Sequence, residues 1–283
     1  MQTVAIIGVG LIGGSFGLAL KKAGFAGRVV GVSSPRALGE ALERGAIDEG
    51  LSLEQAVPHA DLVYLSQPIA RILETLPRID VWLRPGTLVT DAGSTKARIV
   101  KQGRAWIRRG QFLGGHPMAG KEKRGVSEAD ADLFVGRTYV LTPADRSEME
   151  TTAAREFLKW VEAIGAAPLV LTPEEHDRVV AFTSHLPQLL STALASTLAA
   201  HLRSTEHLQA AGPGLADSTR LAFSPYDIWG DILKTNTGAI EAALEAYIEK
   251  LKELRGELCS ERMREEFEAA SDFVSRLKQA GRQ

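Results

Sequence analysis

The run Thr3-Val4-Ala5-Ile6-Ile7-Gly8-Val9-Gly10-Leu11-Ile12-Gly13 sets an apolar β segment against a glycine triplet, with helix-forming sequence following as far as Gly24. A G-x-G-x-x-G spacing alone says little in a chain that holds 27 glycines. Its placement between a strand and a helix is what reads as a dinucleotide-binding turn. There Gly8 permits the tight turn, Gly10 lets the backbone approach a pyrophosphate, and Gly13 lets helix and strand pack closely. Leu11 and Ile12 open the helix and belong to the same site, where unpaired N–H groups and the positive end of the helix dipole face the phosphates. An ordinary glycine-rich βα turn is the competing reading.

From this unit outward the first half alternates strand and helix, as a doubly wound sheet does. Strands are expected at 28–32, 61–65, 87–90, 111–114, 138–141 and 167–171, with Pro68, just past the 61–65 strand, as a further cofactor contact. Helices are expected over 35–45, 95–109 and 147–164. The character changes at Thr172-Pro173-Glu174-Glu175, which has the form of a helix start with proline in its first turn. Beyond it, Ala, Leu, Glu and Lys at helical spacing dominate. The expected fold class is therefore α/β. A Rossmann-type doubly wound dinucleotide-binding domain over 1–172 joins an all-α substrate-cleft and dimerisation domain over 173–283. Gly212-Pro213-Gly214 is expected to be a loop between long helices.

The composition narrows the partners. Charged residues make up 24% and the hydrophobic set 45% of the 283 residues, as in ordinary globular proteins, and the length suits two domains. A net charge of -2 gives no basic field for nucleic acid and no polybasic membrane anchor, so an anionic ligand must be held by local groups. The single cysteine, Cys259, excludes an internal disulfide framework, and no metal site is expected. Val179 to Leu202 carries no Asp, Glu, Lys or Arg and is long enough to span a bilayer, but Ser184, His185, Pro187 and Gln188 within it favour a helix buried in protein. With no leader expected ahead of Thr3, a cytoplasmic protein is expected.

Four further clusters carry chemistry. At the end of the second strand an Asp or Glu would bind the ribose 2′-OH of NAD and repel the 2′-phosphate of NADP. This chain has Ser33 and Ser34 there, with Arg36 beyond them, so NADP is favoured over NAD. The alternative leaves Arg36 in solvent and binds NAD without an acidic partner. Next, Asp91-Ala92-Gly93-Ser94-Thr95-Lys96 lies at a strand's C-terminal end, where open α/β sheets bind ligands, so Ser94 belongs near the nicotinamide. Its simpler role is to cap the following helix, and the two roles are compatible. Third, Gly114-Gly115-His116-Pro117-Met118-Ala119-Gly120 exposes an imidazole between glycines at the same edge, and imidazole is the natural general base near neutral pH. Last come His176-Asp177, Ser184-His185-Leu186-Pro187-Gln188, Asp217-Ser218-Thr219-Arg220 and Ser224 to Asp231. Polar groups in an apolar helical region need partners or a ligand. Singly they read as structural hydrogen bonds, and together as a polar cleft.

With these motifs in order, the chain resembles the prephenate/arogenate dehydrogenase family of tyrosine biosynthesis. The resemblance rests on Gly8-x-Gly10-x-x-Gly13-Gly14-Ser15, Asp91-x-Gly93-Ser94-x-Lys96, Gly115-His116-Pro117-Met118-Ala119-Gly120, Ser184-His185-Leu186-Pro187, and Trp229-x-Asp231-Ile232 with Asn236. It implies oxidative decarboxylation of a cyclohexadienol: the ring hydroxyl loses its proton, hydride leaves the same carbon for NAD(P), and loss of CO₂ makes the ring aromatic. His116 would be the base and Ser94 the group orienting it and the hydroxyl. Arg220 is the candidate for a bidentate pair with a substrate carboxylate. Ser184 and His185 would line the cleft, with His176 and Asp177 supporting it from behind.

One departure concerns Gln188, which stands where family members often carry a second histidine after Ser-His-Leu-Pro. It bears on the choice between prephenate, with a pyruvyl side chain, and arogenate, with an amino-acid side chain. The Ser33/Ser34 signal resembles the NADP-using arogenate branch and inclines the expectation towards arogenate as an accepted substrate. A homodimer through the C-terminal helices is expected. No regulatory domain is expected after them, so any inhibition by tyrosine would act at the active site. The alternatives are a β-hydroxyacid dehydrogenase or imine reductase, and a non-catalytic NADP-binding redox sensor.

Overall fold

The computed structural model describes residues 1–121 and 123–280. The β segments form one eight-stranded sheet from β1 (Thr3–Ile7), β2 (Arg28–Val32), β3 (Glu49–Gly50), β4 (Leu62–Leu65), β5 (Leu88–Asp91), β6 (Gln111–Pro117), β7 (Thr138–Thr142) and β8 (Ala167–Val170). The order is β3-β2-β1-β4-β5-β6-β7-β8. All neighbours are parallel except β6 and β7, which run antiparallel. The strand order reverses between β1 and β4, and that crevice is where open α/β sheets bind their ligands.

Helices α1 (Leu11–Lys22), α2 (Pro35–Glu43), α3 (Leu53–Ala56), α4 (Ile69–Ile79), α5 (Ala97–Trp106) and α6 (Thr152–Ala163) connect and cover the strands. Central strands are buried along their length, as sheets covered on both faces require. Phe16 of α1 stacks on Tyr64 of β4 with ring centroids 4.0 Å apart, both fully buried. That contact fixes α1, and with it the glycine turn at its start. The expected Rossmann-type doubly wound sheet is thus present.

After the sheet come α7 (Pro173–Val180), a π-helical turn (Ala181–His185), α8 (Leu186–His201), α9 (Thr205–Gln209), α10 (Pro213–Thr219), a 3-10 turn (Arg220–Phe223), α11 (Tyr226–Thr235), α12 (Thr237–Gly256) and α13 (Glu261–Ala280). The start of α7 is a full capping box. Thr172 Oγ1 accepts from Glu175 N–H at 3.2 Å, and Glu175 Oε2 accepts from Thr172 N–H at 3.0 Å. By compactness the chain divides into Met1–Thr237 and Gly238–Gln283, so α7 to α11 form one body with the sheet. This division lies well past the change of composition at 172, because the early helices bury their polar groups against the strand ends. Within the second unit, Lys250 of α12 pairs with Glu266 of α13 at 3.0 Å.

Three local expectations change. The uncharged 179–202 stretch is not one regular helix, since the π turn interrupts it, and no helix among the described residues is long and apolar enough to cross a membrane. Gly212-Pro213-Gly214 is not a loop: Gly212 is the N-cap of α10 and Pro213 its first residue, where the missing N–H costs nothing. Helix α4 occupies 69–79, a span with no expected element.

Candidate active site

The dinucleotide turn comes first. Gly8 closes β1 with φ +98°, a conformation glycine adopts without strain, and donates to Val32 O at 2.8 Å. A Cβ at Gly13 would fall 2.4 Å from Gly8 O and 2.5 Å from the Ser66 hydroxyl, so close packing requires glycine there. Gly10 differs, because a Cβ there would meet no protein atom within 4 Å. Packing does not explain Gly10, whereas ligand access to its backbone does. Two cavities meet at this residue. One, of about 680 Å³, runs from Gly8 past Pro68 to Ser33, Ser34 and Arg36. The other, of about 350 Å³, is lined by Leu11, Ile12, Pro68 and Ser94. Such a cradle fits a dinucleotide.

The 2′ end of the first cavity is less simple than the sequence suggests. Ser34 caps α2, accepting from Ala37 N–H at 3.4 Å, which leaves Ser33 as the strand-end hydroxyl. Arg36 is exposed and pairs with Glu40 one turn on, at 2.9 Å. Arg71 and Arg124 line the same cavity. Sequence reasoning missed both, because they arrive from α4 and from the segment after β6, with no local motif to mark them.

Near the C-terminal end of β6, His116 lies opposite Val140 of β7 and is half-buried. Its Nδ1 lies 2.8 Å from Nε2 of His176 on α7. His176 is fully buried, and its own Nδ1 lies 2.8 Å from Asp177 Oδ1. A carboxylate can only accept, so His176 Nδ1–H donates to Asp177 and His176 Nε2 is left as acceptor. Consequently His116 Nδ1–H donates to His176, and His116 Nε2 keeps a free lone pair. The chain Asp177–His176–His116 thus holds His116 in the tautomer a base needs. Residues expected only as supports are therefore tied directly to the base.

Ser94 lines the smaller cavity at the end of β5, the strand beside β6. Among the described residues it makes no hydrogen bond to His116, whose ring is oriented by His176 instead. Nor does Ser94 cap α5. Asp177 does so from another helix, its two oxygens accepting from Lys96 N–H at 2.6 Å and Ala97 N–H at 2.9 Å. Behind the base, fully buried Lys96 pairs with fully buried Asp91.

His185 lies in the π turn, accepting at Nδ1 from Asn236 Nδ2 at 3.3 Å with the Trp229 ring packed edge-on at 5.9 Å. Asn236 also donates to Asp177 O at 2.8 Å, so it links His185 to the relay. Ser184 is half-buried in the same turn. Gln188 is buried and donates to Leu221 O at 2.9 Å and Thr192 Oγ1 at 3.3 Å. With Ser191, whose hydroxyl accepts from Ala222 N–H at 3.1 Å, it fixes the 3-10 turn that begins at exposed Arg220.

All three imidazoles of the site are held neutral. Burial, followed by the electrostatic influence of His176, Lys96 and His185, puts the His116 pKa well below the ordinary histidine range. Burial also lowers that of His176, against the opposing hydrogen bond it donates to Asp177, and pushes His185 down to about 4. For each, the unfolded chain takes up its proton first. The stability these groups contribute is therefore fully present above about pH 6.5 and is lost as pH falls below it, for His185 towards about 4. The urea midpoint should fall steadily from about pH 7 to pH 5, before most carboxylates titrate, and a flat midpoint would contradict these shifts.

A family model described as "Prephenate dehydrogenase, nucleotide-binding domain" matches residues 16–167, and one described as "Prephenate dehydrogenase, dimerization domain" matches 172–277. The chain belongs to the prephenate dehydrogenase family. Among its relatives, the prephenate dehydrogenase of Lactococcus lactis is 35% identical over 90% of this chain and 70% of its own length. The Aquifex aeolicus prephenate dehydrogenase in complex with hydroxyphenyl propionate and NAD+ has a TM-score of 0.84 and 32% identity, covering 99% of this chain and 97% of that one. Synechocystis arogenate dehydrogenase has a TM-score of 0.82 and 28% identity, covering 99% and 100%. Membership in this family sets aside the β-hydroxyacid dehydrogenase alternative, and it makes the chain an NAD(P)-binding oxidoreductase.

Proposed function

We propose that this chain is an NADP-preferring dehydrogenase of prephenate or arogenate, with His116 as general base. The observation that carries the reading is the free lone pair on His116 Nε2, fixed by His176 and Asp177 at the C-terminal edge of the sheet. The relatives' activities and the NAD+ held by the A. aeolicus enzyme support it. A bound nicotinamide supplies the hydride acceptor. His116 Nε2 takes the ring hydroxyl proton as the C–H electron pair leaves, and the oxygen becomes a carbonyl. When the ring carboxylate departs as CO₂, its electron pair restores the aromatic ring, and His116 returns the proton to the phenolic oxygen. Arg220 holds a substrate carboxylate, Ser94 the reacting hydroxyl, and Ser184 and His185 bound the cleft.

Ser33, standing where an acid would exclude a 2′-phosphate, supports the NADP preference, and Arg71 and Arg124 add positive charge to the same cavity. Steady-state rates with NAD and NADP against prephenate and arogenate test the whole reading. NADP should give the higher kcat/KM, and a substantial preference for NAD would overturn the cofactor assignment. Turnover of neither substrate, with NADP bound, would favour the sensor alternative. Ser33→Asp should cost about 10²-fold in kcat/KM with NADP, through like-charge repulsion, and spare NAD. A uniform loss with both cofactors would mean that Ser33 acts on folding instead.

A homodimer goes with this reading. The family model's dimerization domain and the exposed Phe182 and Leu194 on the uncharged stretch, with Phe267 and Leu277 on α13, support it. So does a cytoplasmic location, where the nicotinamide pool is.

A further inference from the structure

We propose that Lys96 is a positioning residue for the base, clamping His116 from both sides. The role rests on the reading of His116 as base. Lys96 is among the largest fully buried side chains of the described residues, and its ammonium pairs with the fully buried carboxylate of Asp91. Buried ion pairs are a poor route to stability, since desolvation offsets most of their attraction, so this one calls for another reason.

Its connections supply one. Lys96 Nζ donates to Asp91 and, at 2.8 Å, to Gly115 O. Asp91 Oδ1 accepts from Gly115 N–H at 3.2 Å, and Oδ2 accepts from Gly93 N–H at 2.8 Å. Both polar groups of Gly115, the residue before His116, are thus held by the pair. Meanwhile the backbone N–H of Lys96 donates at 2.6 Å to Asp177 Oδ1, the oxygen that also receives His176 Nδ1–H. His176 in turn receives His116 Nδ1–H. The circuit from Lys96 through Gly115, His116, His176 and Asp177 closes on Lys96 itself. Its side chain fixes the strand carrying the imidazole, and its backbone fixes the carboxylate that orients it.

The charge acts as well. The ionisable groups around His116 are Asp91 and Lys96 beside β5, Tyr64 of β4 and Tyr139 of β7 (both kept neutral by burial), His176 and Asp177 of α7, and His185 of the π turn. Of these, Lys96 is the cation that opposes protonation of the base.

Lys96→Met, the double variant Asp91→Asn with Lys96→Met, and His116→Asn should be compared in steady-state pH profiles. In Lys96→Met, kcat should fall about tenfold or more with substrate KM within about threefold. The acid limb of kcat/KM should move up by about half a pH unit, and by less in the double variant, where the opposing carboxylate is also gone. The double variant strands no buried charge, so it supplies the kcat, KM and limb readings if Lys96→Met does not fold. Wild-type kcat with an unmoved limb in a folded variant would overturn the role, as would a rise in KM alone. If His116→Asn kept full turnover, the base assignment itself would fail. An inactive His116→Asn beside a wild-type-like Lys96→Met would remove only the role of Lys96.

Discussion

His116→Asn should lower kcat by about 10³-fold or more while leaving the KM for the cyclohexadienol within a few fold. Asparagine reproduces the polar ends of the imidazole but not its basicity. Its amide N–H₂ can still donate to His176 Nε2, so the buried relay keeps its partner and folding is spared. Its carbonyl oxygen can accept a hydrogen bond from the ring hydroxyl but cannot take the proton. Binding therefore survives and chemistry does not, which is the kinetic signature of a group that acts only in the transition state. The wild-type profile offers the companion reading. Burial and the neighbouring His176, Lys96 and His185 hold His116 neutral, so the acid limb of kcat/KM should lie below about pH 6.5, the ordinary histidine value. A normal limb would place the titrating group elsewhere, and undiminished turnover in the variant would leave the hydroxyl proton to another acceptor.

Much of this arrangement is local and could be read from order along the chain. The Gly8–Gly13 turn, the strand ends carrying Ser94 and His116, and the capped start at Thr172 are each written within a few residues, because turns and caps are short-range chemistry. Structure adds a distinction the spacing does not contain: Gly13 answers to packing against Gly8 and Ser66, while Gly10 answers to none. What stayed hidden is non-local. His116 and His176 are 60 residues apart, and no spacing rule pairs them. Helices α4 and α5 illustrate the same limit. Asp231 of α11 accepts from Ala70 N–H at 2.9 Å in the first turn of α4, as Asp177 does at the start of α5. A carboxylate that caps a remote helix looks, in sequence, like any solvated acid. Helix α4 was further disguised by its prolines, Pro68 at the N-cap and Pro77 near its end. Its apolar face at Ile69, Ile72, Leu76 and Ile79 nevertheless has helical spacing.

Asp177 is where fold and chemistry meet, and two substitutions there should separate them. Asp177 is 4% exposed and receives three donors: Lys96 N–H, Ala97 N–H and His176 Nδ1–H. Asp177→Ala strands all three in a buried site and uncaps α5, a loss of about 3 kcal/mol or more, read as a lower urea midpoint at unchanged m-value. Asp177→Asn seats its amide oxygen best at the Oδ1 position, where it still accepts from Lys96 N–H and His176 Nδ1–H, and its N–H₂ then faces only Ala97 N–H. The stability loss should be about 1 kcal/mol. In this orientation the relay keeps its tautomer but loses its charge. A neutral amide oxygen supports the proton that His116 takes up, through His176, less well than a carboxylate does. We therefore expect kcat to fall by about tenfold in a folded Asp177→Asn, with substrate KM little changed. A stable Asp177→Asn with wild-type turnover would mean that the Asp177–His176 link only supports the fold.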